Sequence, residues 1–186
     1  MAGARSSTAG RLILLNGTSS SGKSTIAAEL LGILDGAWFH LGIDQFHRVR
    51  ARRDWDDAAF LPVFQRTVLG FHRAVAGMAA AGNDVVVDHV LGEQWRLADC
   101  LTVFEGLPTY FVGVRCSLPE LQRRERERGN RTIGRAELQF PLVHQHEVYD
   151  VEVDTDRHTP AECATQIQQR ILSGPPTAFD RLRATN

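Results

Sequence analysis

The stretch RLILLNGTSSSGKST, Arg11 to Thr25, decides the fold. Leu12 to Leu15 form an unbroken apolar run, as in a strand buried on both faces. A loop of glycine and hydroxyl residues follows, and Lys23 to Leu34 then reads as a helix. Gly17 to Ser24 fits the spacing GxxxxGK[ST]. In such a strand–loop–helix unit the loop N–H groups converge on one anion, and the helix N-terminus adds partial positive charge. Gly17, Thr18, Ser19, Ser20, Ser21, Gly22, Lys23, Ser24 and Thr25 are therefore candidate nucleotide-binding residues, with Lys23 on the β- and γ-phosphates and Ser24 on Mg²⁺. Lysine and arginine together number 21, and Lys23 is the only lysine. A compact ammonium fits between phosphate oxygens where a planar guanidinium fits poorly. The lone lysine also excludes a guanine-reading NKxD motif.

Outward from this loop, apolar runs alternate with helical patterns, which predicts βαβ units around a parallel sheet of about five strands with helices on both faces. A second strand is expected over Ala37–Asp44, a third in DVVVDHV (84–90), a fourth in TYFVGVRC (109–116) and a fifth in YDVEVDT (149–155). Phe60, Phe64, Val68, Phe71, Val75 and Met78 recur at spacings of three and four and mark a long helix from about Asp56 to Ala81, closed by Gly82. Thr159 caps a last helix that has Pro160 at its first position. Residues 11–173 read as one kinase-like P-loop domain, 1–10 as a disordered tail and 174–186 as a polar C-terminal tail.

Bulk properties narrow the function. The 186 residues carry a net charge of -1, which gives no pull toward nucleic acid or an anionic membrane. No apolar run is long enough to cross a bilayer. Three widely separated cysteines suit reduced thiols and a cytoplasmic protein. The length fits a small-molecule or nucleotide kinase better than a motor or transporter ATPase. A homo-oligomer is compatible with all of this.

Ligands of parallel α/β sheets lie beyond the carboxyl ends of the strands. Asp44 and Asp88 fall there. Asp44 is the candidate base that orients an acceptor hydroxyl and takes its proton. Asp88 is a candidate for Mg²⁺ or for the substrate, and the alternative for either acid is a helix cap or an arginine partner. Arg128, Arg131 and Arg135 bracket a glycine-containing break in an arginine-rich segment, a short lid over about 124–136. Arg131 and Arg135 are its catalytic candidates, and Arg128 stands behind them on the nucleotide. Arg123 and Arg126, interleaved with glutamates, read as a solvated helix face. His89 and Phe46 are acceptor-side candidates. His40, His72 and His158 have no evident partner in the sequence. His144 and His146, two apart, would diverge by about 200° on a helix and could not share an ion.

These residues resemble the chloramphenicol phosphotransferase-like proteins. The likeness runs from about Arg11 to Ile171 and rests on LNGTSSSGKS, LGID, VVVDHV, VGVRC, RERERGNRTIG and VHQHEVYDVEVDT. It implies a kinase that moves the γ-phosphate of ATP, with Mg²⁺, to a hydroxyl of an antibiotic. It also implies a catalytic base at Asp44, a lid arginine at Arg131 and a strand-end acid at Asp88. Two features depart from the family pattern: His89 stands where a second acid is expected, and QFHRVRARRDWDDAAFLPVFQR after Asp44 is basic. An anionic or sugar-rich acceptor, such as a nucleoside antibiotic, would suit those arginines. The alternatives are a kinase of a nucleoside, sugar acid or adenylyl sulfate, and a nucleotide-binding regulator without transfer activity.

Overall fold

The computed structural model describes residues 9–51, 54–128 and 134–185. Its strands are β1 (Leu12–Asn16), β2 (Trp38–Gly42), β3 (Asp84–His89), β4 (Thr109–Arg115) and β5 (Val151–Asp154). They form one parallel sheet in the order β2-β3-β1-β4-β5. The five-residue β1 is buried throughout and sits in the middle. Its side chains alternate between two cores. Leu12 and Leu14 join Val85, Val87 and Phe111 on one face, while Ile13 and Leu15 join Val86, Val112 and Val114 on the other.

Helices α1 (Lys23–Ile33) and α7 (Pro160–Leu172) cover the second face through Ile26, Leu30, Ile167 and Ile171. The first face is covered by α3 (Asp57–Ala80), α4 (Gln94–Val103) and α8 (Ala178–Thr185), through Phe71, Val75, Cys100, Phe179 and Leu182. Helices α2 (Ile43–Arg48) and α5 (Leu118–Arg128) leave the carboxyl ends of β2 and β4, and α6 (Arg135–Gln139) packs on α5. This is the doubly wound P-loop kinase arrangement expected from the alternation of runs. Among the described residues no helix is long and apolar enough to cross a membrane. All three cysteines are buried and unpaired.

Several elements differ from expectation. The second strand stops at Gly42, and Asp44 lies in the first turn of α2 rather than at a strand end. The apolar stripe of α3 is core only from Val68 onward, so Phe60 and Phe64 are released to line other surfaces. Helix α4 was not foreseen. The expected polar tail after Leu172 instead forms α8, with Ala178, Phe179 and Leu182 buried. Its start is held by Asp150, whose Oδ1 accepts from the Thr177 and Ala178 amides at 2.7 and 3.2 Å and pairs with Arg170 at 3.2 Å. The expected N-terminal tail falls, as far as Thr8, outside the described residues.

Candidate active site

The loop between β1 and α1 is shaped by contacts behind it. A Cβ at Gly17 would lie 2.6 Å from the Val114 carbonyl oxygen and 2.7 Å from Ser21 Oγ, so only glycine lets the chain pass there. Gly22 has φ 91° and forms the N-cap of α1, a conformation that glycine adopts without a Cβ penalty. Thr155 Oγ1, at the end of β5, donates to the Ser21 carbonyl at 3.1 Å. Arg124 grips Thr155 through Oγ1 at 3.0 Å and through its carbonyl at 2.8 Å. These bonds fix the nucleotide side of the loop.

Lys23 Nζ donates to the Thr18 carbonyl at 2.7 Å and lies 3.8 Å from Asp88 Oδ1. Ser24 Oγ donates to Asp88 Oδ2. His40 Nε2 is 4.0 Å from the same oxygen. Burial pushes the His40 imidazole below its usual pKa, against the pull of Asp88. Parallel register brings these groups together: Asp88 sits beside Gly42 on one side and Leu15 on the other, two residues before the loop begins at Gly17.

A cavity of about 550 Å³ opens at this end of the sheet. Ser19, Ser20, Gly22, Lys23 and Ser24 line its phosphate end together with Asp88. Asp44, Gln45, His47, Arg48, Phe64 and Arg96 also line it, as do Arg135 and Gln139 of α6. Among the described residues Ser20 Oγ, His40 Nε2 and His47 Nδ1 are buried atoms with no hydrogen-bond partner, and all three residues line this cavity. Such atoms are available to a ligand or to water in the cavity.

A family model described as "Chloramphenicol phosphotransferase-like protein" matches residues 10–172. The chain belongs to the chloramphenicol phosphotransferase-like family. It is 33% identical over 198 residues to a Mycobacterium tuberculosis protein named "Putative O-phosphotransferase", a match covering 94% of this chain and 88% of that protein. Its fold is similar to that of the M. tuberculosis APS kinase in complex with AMPPNP and APS, with a TM-score of 0.68 at 18% identity over 88% of this chain and 98% of that one. It is also similar to the Deinococcus radiodurans tunicamycin resistance protein, with a TM-score of 0.67 at 16% identity over 90% and 98% of the two chains.

In this family member Ser19, Ser20, Gly22, Lys23, Ser24, Asp44, Asp88 and Arg135 of the expected site residues share the cavity, but two acceptor-side candidates do not. His89 is buried beneath the cavity. Its Nε2 lies 3.0 Å from His72 Nε2, and His72 Nδ1 lies 2.6 Å from Asp99. A carboxylate can only accept, so His72 carries its proton on Nδ1 and His89 donates from Nε2. Burial and the neighbouring His72 hold His89 well below the usual histidine range. His72 is thus partnered, contrary to its sequence reading. Phe46 packs edge-on against Phe71 at 5.1 Å, on the core side of α2. Thr25 stands exposed on α1, off the cavity wall, while Gly17, Thr18 and Ser21 support the loop from behind. Arg131 lies outside the described residues, as does the side chain of Arg128.

Other contributors carry no local signal. Asn16, fully buried at the end of β1, donates to the Val143 carbonyl at 2.8 Å and to Tyr149 Oη at 2.9 Å, and accepts from the Leu91 amide at 2.9 Å. His144 Nδ1 lies 2.6 Å from Tyr149 Oη, and His146 Nε2 lies 3.3 Å from Asn16 Nδ2. The VHQHEVYD motif is therefore a hub behind the phosphate loop. Its two histidines converge because they lie in turns rather than on a helix. Glu125 is buried and accepts from the amides of Gly134 and Ala136, which anchors the start of α6.

Proposed function

We propose that this family member transfers the γ-phosphoryl group of ATP to a hydroxyl of a small molecule of the antibiotic class. The observation that carries this reading is that Lys23, Ser24, Asp88 and Asp44 all line one cavity. The named activity of the M. tuberculosis relative and the likeness to a tunicamycin resistance protein support it.

In this reading the loop amides and Lys23 bind the phosphates of ATP. The Ser24 hydroxyl and the Asp88 carboxylate are oxygen donors in mutual contact, a set that fits Mg²⁺ with water completing its shell. Mg²⁺ held there supplies charge neutralisation on the phosphoryl oxygens. Asp44 accepts the proton of the acceptor hydroxyl as its oxygen bonds to phosphorus and the bond to ADP breaks. Positioning and charge carry most of such a transfer, so an ordinary carboxylate suffices as base. Arg135, with Arg128 and Arg131 before it in the chain, stabilises the developing charge and excludes water.

A second reading has a specific basis. Arg48 and Arg135 both line the cavity, which suits an anionic acceptor in the manner of a primary-metabolite kinase. One experiment separates the two readings: the protein is incubated with MgATP and a panel of hydroxylated antibiotics, chloramphenicol and nucleoside antibiotics included, beside nucleosides, sugar acids and adenylyl sulfate. Mass spectrometry then detects gain of one phosphoryl group. The first reading expects the gain among the antibiotics. Gain confined to anionic metabolites favours the second, and ATP hydrolysis with no acceptor dependence defeats both.

A further inference from the structure

One bond at the phosphate loop runs against the loop's purpose. The Ser19 N–H is a donor of the anion cradle, yet it donates at 2.8 Å to Oε1 of Gln139, the last residue of α6. The donor's identity fixes the orientation of the carboxamide, because a backbone N–H can only donate and so must meet the oxygen. Ser19 is buried, and leaving its N–H without a partner would be costly. Gln139 and Ser19 both line the cavity, so their bond lies at the wall that a bound phosphate would meet.

We propose that Gln139 stands in for a phosphate oxygen in the free protein and competes with nucleotide for the Ser19 donor, so that it is a positioning residue that sets nucleotide affinity. The inference rests on the reading of this cavity as a nucleotide site. A neutral carboxamide is a weaker acceptor than an anionic phosphate oxygen, so nucleotide displaces it. Until then the carboxamide keeps the loop hydrogen-bonded and open in shape. The arrangement also joins two elements far apart in sequence. Glu125 holds the first turn of α6, Gln139 ties its last residue to the loop, and Arg135, four residues before Gln139 and on the same face, also lines the cavity.

A scaffold and a competitor predict opposite signs. If Gln139 merely braced the loop, removing it would weaken nucleotide binding. If it competes, removing it strengthens binding. The test is titration calorimetry of MgATP, with no acceptor present, into the full chain and two variants. Gln139→Ala is expected to bind about three- to tenfold more tightly, the equivalent of one net hydrogen bond. It should also lower the melting temperature of the free protein more than that of the MgATP complex. Gln139→Glu keeps the shape and places a carboxylate on the Ser19 amide, and is expected to bind at least about tenfold more weakly. Equal or weaker binding by Gln139→Ala, in protein that remains folded, overturns the inference. A wild-type chain that binds no MgATP overturns both the inference and the nucleotide reading, so the two failures are told apart.

Discussion

The phosphate loop and the segment from α2 to the start of α3 line the same cavity but are held by different forces. The loop is a backbone device. Its shape comes from Gly17 against β4, Gly22 at the start of α1, and hydrogen bonds from Lys23 and Thr155 to loop carbonyls. The segment from α2 to the start of α3 is held by side chains. Arg50 lies 4.7 Å over the Phe60 ring, His47 stacks on Phe64 at 5.1 Å, and Arg96 covers Phe64 at 5.1 Å while pairing with Glu93. Contacts of this kind contribute on the order of 1 kcal/mol each. A backbone device presents the same N–H groups whatever its side chains, so the donor end is common to P-loop kinases. On the proposed reading the acceptor end can be reshaped by single substitutions, and selectivity would reside there.

If this contrast is right, substitutions at the two ends fail differently. Lys23→Ala should have the largest effect, a loss of about 10³-fold in kcat/KM with weakened nucleotide binding, read by steady-state kinetics and calorimetry. Comparable turnover would mean that the cradle works without its only lysine. Next is Asn16→Ala. It leaves the Leu91 amide, the Val143 carbonyl and Tyr149 Oη short of a partner in a buried hub, and should lower stability by about 2–4 kcal/mol in chemical denaturation. A near-neutral outcome would show that the root of the loop is not held from behind. Phe64→Ala, in the second of these segments, should raise acceptor KM by about tenfold while MgATP affinity stays within about twofold. Equal loss on both sides would break the contrast.

The smallest effect is a pH slope. Burial, with Arg115 nearby, pushes His144 down to about 3 and His146 down to about 4. An unfolded histidine binds its proton near pH 6.5, so the unfolded chain takes up more protons between those values. The stabilisation from neutral His144 and His146 is therefore complete above about pH 6.5 and is lost as pH falls toward 4. Melting temperature should drop between pH 7 and 5. His146→Phe, which keeps the stack on Phe111 at 5.0 Å, should flatten the decline. An unchanged slope would assign the acid sensitivity to other groups.

What the sequence made legible follows the same division. The loop, the strands and the long helix are contiguous signals, and they appear where spacing and apolar runs put them. The position of Asp44 on the cavity wall was legible as well, although a helical turn carries it instead of a strand end. Helix α8 was missed because only Ala178, Phe179 and Leu182 mark it, and because its anchor, Asp150, lies 27 residues from Thr177. His89 read as acceptor-facing because it follows Asp88. Adjacent strand residues point to opposite faces, so the neighbour of an acid that lines the cavity faces the core. Glu125 read as one of several interleaved surface acids, yet it is buried at the start of α6. Gln139 and Asn16 had no signal, since each acts on a partner more than 70 residues away.

The central claim is that Asp44 acts on the acceptor and not on the nucleotide. Its most direct test is phosphoryl transfer from radiolabelled ATP, beside MgATP affinity, in wild type and Asp44→Asn, with an acceptor found by the mass-spectrometric screen. The account predicts a loss of about 10²–10⁴-fold in transfer with nucleotide affinity essentially unchanged. Near wild-type transfer by Asp44→Asn, or a loss of nucleotide binding that matches the loss of transfer, would contradict it.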